Sequence, residues 1–128
     1  MPVTFELVSP ERKLASAEAD SVTIPGMEGD LTAMPGHAPF VTTLRPGDVI
    51  VRNGGSETRY FVTGGFAEIS QDVVSVLAER GIEAERADAA FLDERIAEAE
   101  KTLAEAPAER RRAAQQRLSD YQSVRARL

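Results

Sequence analysis

At 128 residues the chain has the length of one ordinary domain, or of a small domain carrying an appendage. It has no cysteine, which excludes a disulfide framework and a thiolate zinc site. Its formal net charge of −6 disfavours nucleic acid, which selects basic faces. No apolar run approaches the roughly 20 residues that span a bilayer. The opening Met-Pro-Val-Thr-Phe-Glu lacks the basic start and apolar core of a signal peptide. A soluble, cytoplasmic chain, held at a membrane only through partners, is the expectation.

Thr4 to Val8 alternates, with Phe5 and Leu7 on one face, and predicts the first strand. Ser21 to Ile24 is a second strand-like run, ended by Pro25-Gly26. Asp30 to Met34 and Phe40 to Leu44 flank a loop holding Pro35, Gly36, His37 and Pro39, made stiff and sharply turned by these residue types. Asp48 to Arg52 and Thr58 to Val62 are joined by Asn53-Gly54-Gly55-Ser56, a strong hairpin signal. Phe66 to Ser70 and Val73 to Leu77 are separated by Gln71-Asp72, which predicts a two-residue turn. Gly64-Gly65 suits a bulge or a close backbone approach. Residues 1–82 therefore read as a β-sandwich or flattened barrel of about eight to ten short strands. Residues 83–87 read as a polar linker.

From Asp88 the composition changes to alanine, glutamate and arginine, with no further glycine. Asp88 suits an N-cap, and Leu92, Ile96, Ala99 and Leu103 form one stripe at helical spacing. Pro107 ends this helix near Glu105 and suits the first turn of the next. Ala114, Leu118, Tyr121 and Leu128 make the second stripe. Residues 88–128 thus predict an antiparallel two-helix hairpin, and the whole chain an α+β protein. Residues 88–106 carry a net charge of −4 and residues 107–128 a net +4, so opposed helix faces attract. Arg110, Arg111 and Arg112 lie near a helix N-terminus, where the dipole disfavours cations. Something other than helix stability accounts for them: solubility, the acidic first helix, or an acidic surface on another subunit.

No reactive constellation stands out. His37 is the only imidazole, so a two-histidine metal site is excluded. A triad of His37, Ser9 and Asp30 can be drawn, but no G-x-S-x-G elbow or phosphate loop accompanies it. The blander reading gives His37 a hydrogen-bonding role in its own loop, and Glu28 and Asp30 a solvated turn. No catalytic residue, metal or cofactor is expected.

Gly36-His37-Ala38-Pro39-Phe40, followed by Leu44-Arg45-Pro46-Gly47, resembles the signature of the ε subunit of rotary ATP synthases, called δ in mitochondria. Phe5-Glu6-Leu7-Val8-Ser9-Pro10, Glu28-Gly29-Asp30-Leu31 and Gly64-Gly65-Phe66-Ala67-Glu68-Ile69 fit the same family, in order along nearly the whole chain. The resemblance implies a non-catalytic component of the central rotating stalk of a proton-driven synthase. Such a chain binds the γ subunit and the ring of membrane c subunits. It is peripheral, on the cytoplasmic face of the bacterial inner membrane. Carried over by position, Glu28, Asp30, His37 and Pro39 match the end of the sandwich that meets the c ring and γ, and Ser9 a γ-facing position. The hairpin matches a mobile element that in some members rises to the catalytic subunits and blocks ATP hydrolysis. Arg110, Arg111, Arg112 and Arg117 would meet acidic loops there.

Some members bind ATP in this hairpin through a Leu/Ile-Asp-x-x-Arg-Ala motif. Leu92-Asp93-Glu94-Arg95-Ile96-Ala97 resembles it, with the arginine one position early. One position is a rotation of about 100° on a helix, so Asp93 and Arg95 read as solvated charges and Ile96 as core. An ATP-sensing regulatory module is the alternative function, and a small hydrolase built on His37 a more distant one.

Overall fold

The computed structural model of the protein describes residues 2–128. The chain divides into two compact units, one ending at Ala84 and the other beginning at Glu85. Among the described residues the first unit holds ten strands. They are β1 (Val3–Val8), β2 (Lys13–Ala19), β3 (Ser21–Gly26), β4 (Gly29–Ala33), β5 (Phe40–Leu44), β6 (Gly47–Asn53), β7 (Ser56–Val62), β8 (Gly65–Ile69), β9 (Val73–Ala78) and β10 (Gly81–Glu83). The expected β-sandwich, close to a closed barrel, is what they form.

Neighbouring strands run β10-β7-β6-β3-β5-β8-β9-β1-β2, with β4 on the remaining edge of β3. The path folds at β3. Ser21 to Thr23 pair with β6, whereas Gly26 pairs with Leu44 of β5. Alternation then places one side of each strand inside. Val3, Phe5 and Leu7 of β1 are buried, with Val22 and Ile24 of β3, Val49 of β6, Ile69 of β8, and Val74 and Val76 of β9. Burying each of these larger side chains stabilises the fold by about 1.5–3 kcal/mol.

Three features depart from the sequence reading. β2 and β10 are additional strands, one alanine-rich and the other only three residues long. β3 does not stop at Pro25-Gly26 but includes both. Proline has no N–H to give, and here it falls where the edge of β3 changes partner from β6 to β5, while its carbonyl accepts from Arg45 N at 2.9 Å. Finally, β1 pairs with β9 in parallel, joining the two ends of the sandwich sequence.

A 3₁₀ turn (Ala84–Arg86) spans the boundary between the units; in the second unit α1 (Ala89–Glu105) follows, and another 3₁₀ turn (Ala108–Arg110) precedes α2 (Arg111–Ala126). Asp88 caps α1, its Oδ1 accepting from Phe91 N at 2.9 Å. Leu92 and Ala99 are buried on α1, Leu118 and Tyr121 on α2. Ile96, Leu103 and Ala114 are half-buried. Leu128 leaves the expected stripe, being 64% exposed beyond the end of α2. Arg125 Nε donates to Asp93 Oδ1 at 2.9 Å across the two helices. Both side chains are well exposed, so this pair adds about 0–1 kcal/mol. Among the described residues no helix is long and apolar enough to cross a membrane.

Two expectations follow for stability. Gly65 has φ +122°, and a Cβ there would collide with the Leu77 carbonyl oxygen. Gly65→Ala should cost the sandwich on the order of 3 kcal/mol in urea unfolding followed by its core methyl NMR signals. On the surface of β7, Arg59 Nε donates to Glu57 Oε2 at 2.9 Å and holds the Glu57 carboxyl below its ordinary 4.5. A lowered folded pKa gives stability above the unfolded value that is lost as pH falls through the folded one. Glu57→Gln should therefore weaken the protein slightly at neutral pH, and the difference should shrink as pH falls and vanish once wild-type Glu57 is itself protonated.

Candidate functional site

The expected contact residues fall into two hollows and a loop. One hollow, of about 560 Å³, is lined by Met27, Glu28, Asp30, Phe40 and Val41 among others. Met27, Phe40 and Val41 expose between 48% and 64% of their surface, an apolar group bordered by two carboxylates. Arg45 holds this feature in place. Its Nε donates to Gly26 O at 2.8 Å, its backbone N donates to Pro25 O, and its Nη2 lies 3.6 Å from Asp30 Oδ1. The guanidinium thus braces the β3–β4 turn that carries Glu28. Arg45 was not singled out from the sequence, although the Arg-Pro-Gly corner around it was.

The second hollow, about 720 Å³, is lined by Val8, Ser9, Pro10, Phe66, Leu77 and Glu79. Phe66 and Leu77 are neighbours across β8 and β9 and both are exposed. Ser9 closes a tight turn. Its N and Oγ both donate to Arg12 O, at 2.9 and 3.3 Å.

His37 lines neither hollow. Its Nδ1 lies 2.6 Å from Ala38 O, and its backbone N donates to Met34 O at 3.1 Å. The neighbouring Gly36 N donates to Gln71 O, which ties the loop to the β8–β9 turn. This is the local, structural role expected from the sequence. Pro39 leads directly into Phe40 of the first hollow, and the imidazole is held within the loop that precedes it. Ser9 and His37 lie at opposite ends of β9, whose six residues span roughly 16–20 Å. The drawn triad of His37, Ser9 and Asp30 does not assemble. Among the described residues no group of three or more His, Cys, Asp or Glu is placed to hold a metal ion.

In the hairpin, Arg110, Arg111 and Arg112 are exposed, and Arg117 stacks over the Tyr121 ring at 5.8 Å. Asp93 is exposed, as expected. Arg95 is not. It is 8% exposed, stacked over Phe91 at 5.1 Å, with Nε 3.1 Å from Glu98 Oε1 and Nη2 3.5 Å from Glu94. The Glu98 contact is an ion pair without hydrogen-bond alignment, since Nε has no aligned acceptor. Spacing of three and four residues puts Arg95 on the same face as Leu92 and Ala99. Its long stem and flat guanidinium accept burial against a ring when a carboxylate is at hand. Arg95, Lys101, Arg117, Glu98 and Tyr121 line one hollow of about 690 Å³ in the hairpin.

The class of protein is thus a ten-stranded sandwich that exposes two apolar hollows and carries a helical hairpin. Comparison with known proteins agrees. A family model described as the β-sandwich domain of the ATP synthase delta/epsilon chain matches residues 2–84. The ATP synthase epsilon chain of Rhodobacter capsulatus is 49% identical over 120 residues, covering 94% of this chain and 91% of its own. That of Parvibaculum lavamentivorans is 45% identical over 125 residues, covering 96% and 95%. The chain belongs to the ATP synthase epsilon chain family. The fold also matches a chain of the Euglena gracilis mitochondrial ATP synthase OSCP/F1/c-ring structure, with TM-score 0.76, 23% identity, and coverage of 98% of this chain and 81% of that one. A chain of the Tetrahymena thermophila mitochondrial ATP synthase central stalk and c-ring gives TM-score 0.64 at 14% identity, covering 98% and 97%.

Replacing Arg45 by alanine should lower stability by about 1–2 kcal/mol, because a charged donor to a half-buried carbonyl is lost. NMR shifts of Met27 to Asp30 should move with it, and Arg45→Lys should restore part of both.

Proposed function

We propose that this epsilon-type subunit is a non-catalytic rotor component, whose sandwich binds γ and stands on the c ring of a proton-driven synthase. It is then peripheral, at the cytoplasmic face of a bacterial inner membrane, and held there through its complex. The observation that carries this reading is the pair of exposed apolar hollows on a sandwich with one continuous core. Torque passes only through a body that does not bend, and packed interiors deform little. Met27, Glu28, Asp30 and Phe40 would meet one partner, and Ser9, Phe66 and Leu77 another. His37 and Pro39 would act as the stiff approach to Phe40. The central-stalk and c-ring assembly of the Tetrahymena chain and the OSCP/F1/c-ring assembly of the Euglena chain support the assignment.

The exposed Arg110, Arg111 and Arg112, with Arg117, would contact acidic loops of the α and β catalytic subunits when the hairpin inhibits hydrolysis. A second reading, ATP sensing by the hairpin, gains from one observation: Arg95, Lys101 and Arg117 line the same hollow. Glu98 and Glu105 line it too and oppose a triphosphate.

A chain truncated after Ala87 should still capture γ in a pull-down. Loss of capture would move the joint to the hairpin. Isothermal titration of the full chain with ATP should give no heat at millimolar ligand. Saturable heat, abolished by Arg95→Ala, would favour the second reading.

A further inference from the structure

Asn53 is the chain's only asparagine, and it precedes a glycine in the β6–β7 turn. Gly54 and Gly55 have φ of +57° and +88°, the two positive values of a type I′ hairpin turn. An exposed Asn-Gly pair is chemically labile. The Gly54 nitrogen attacks Asn53 Cγ, ammonia leaves, and a cyclic imide forms. Water is the co-reactant that then opens the imide, leaving aspartate or isoaspartate.

Here both reacting groups are occupied. Gly54 N donates to Asp20 Oδ2 at 2.8 Å, and Asn53 Nδ2 donates to Glu18 O at 3.1 Å. Asp20 N donates to Arg52 O at 2.7 Å, which fixes the carboxylate beside the turn. Asn53 itself is the last residue of β6, in register with Ser56. The attack needs the Gly54 N–H released and the Asn53 amide swung over the next peptide. Each motion breaks one of these bonds.

We propose that Asn53 is a self-modification site held off by Asp20, a positioning residue whose carboxylate keeps the Gly54 nitrogen from the neighbouring amide. The site is open to water, since Asp20, Asn53 and Gly54 are all exposed. Modification replaces the Asn53 donor by a carboxylate facing the Glu18 carbonyl. Isoaspartate also lengthens the backbone between β6 and β7. Either product releases the turn from the β2–β3 corner.

The test incubates the full chain at mildly alkaline pH and follows residue 53 by peptide mass mapping. Asp20→Ala should speed conversion roughly tenfold, the share expected of one charge-assisted hydrogen bond. Asp20→Glu, which keeps the carboxylate, should fall between. Unchanged or slower conversion in a folded Asp20→Ala protein overturns the proposal. If Asp20→Ala does not fold, wild type decides: conversion in native buffer must be at least about tenfold slower than in urea. Equal rates would overturn the proposal as well.

Discussion

The sandwich hangs on one corner, where β3 leaves β6 and takes up β5. Four contacts meet there. Arg45 N reaches Pro25 O, Met27 N reaches Thr43 O at 3.0 Å, Gly26 lies opposite Leu44, and Arg45 Nε crosses to Gly26 O. Without this junction the strands β10-β7-β6-β3 and β5-β8-β9-β1-β2 would be two sheets joined by loops. With it, they enclose a single buried cluster running from Val3 to Ala78. The same junction points the β3–β4 turn outward and so presents Met27, Glu28 and Asp30. The fold and the proposed docking surface thus rest on the same few bonds.

Much of this was legible in the residues. Eight strands followed from alternation and from Gly/Pro punctuation, and Asp88 and Pro107 marked the helix ends. What escaped shares a cause. Lys13 to Ala19 is rich in alanine and becomes a strand because β1 offers it a full partner, from Val3 opposite Ala19 to Val8 opposite Lys13. Pairing of that kind outweighs the weak local preference of alanine for strands. The parallel pairing of β1 with β9 links residues nearly seventy positions apart, and no local pattern encodes it. Pro25 looked like an end because proline removes a donor, yet at a strand whose partner changes that donor has no use.

For the candidate site, residue type was readable and grouping was not. The Pro-Gly-His segment announced a stiff loop, but only the Gly36 bond to Gln71 shows where it is anchored. Arg95 was misjudged because charge was taken to mean exposure. Phe91, one turn earlier, and Glu98, one turn later, supply the ring and the carboxylate that make its burial affordable in energy. Both partners were visible in the sequence at helical spacing. Arg45 was legible only as part of a signature, because its task lies across the corner, nineteen positions from Gly26.

A coupling piece must open only by unfolding altogether. Amide hydrogen exchange on the full chain reads this residue by residue. The Met27 and Arg45 amides, which make the corner, should exchange with the same free energy as Phe5 and Val76 in the core. If instead they exchange through a low-energy local opening while Phe5 and Val76 stay protected, the corner is a hinge, and the rigid-body account fails.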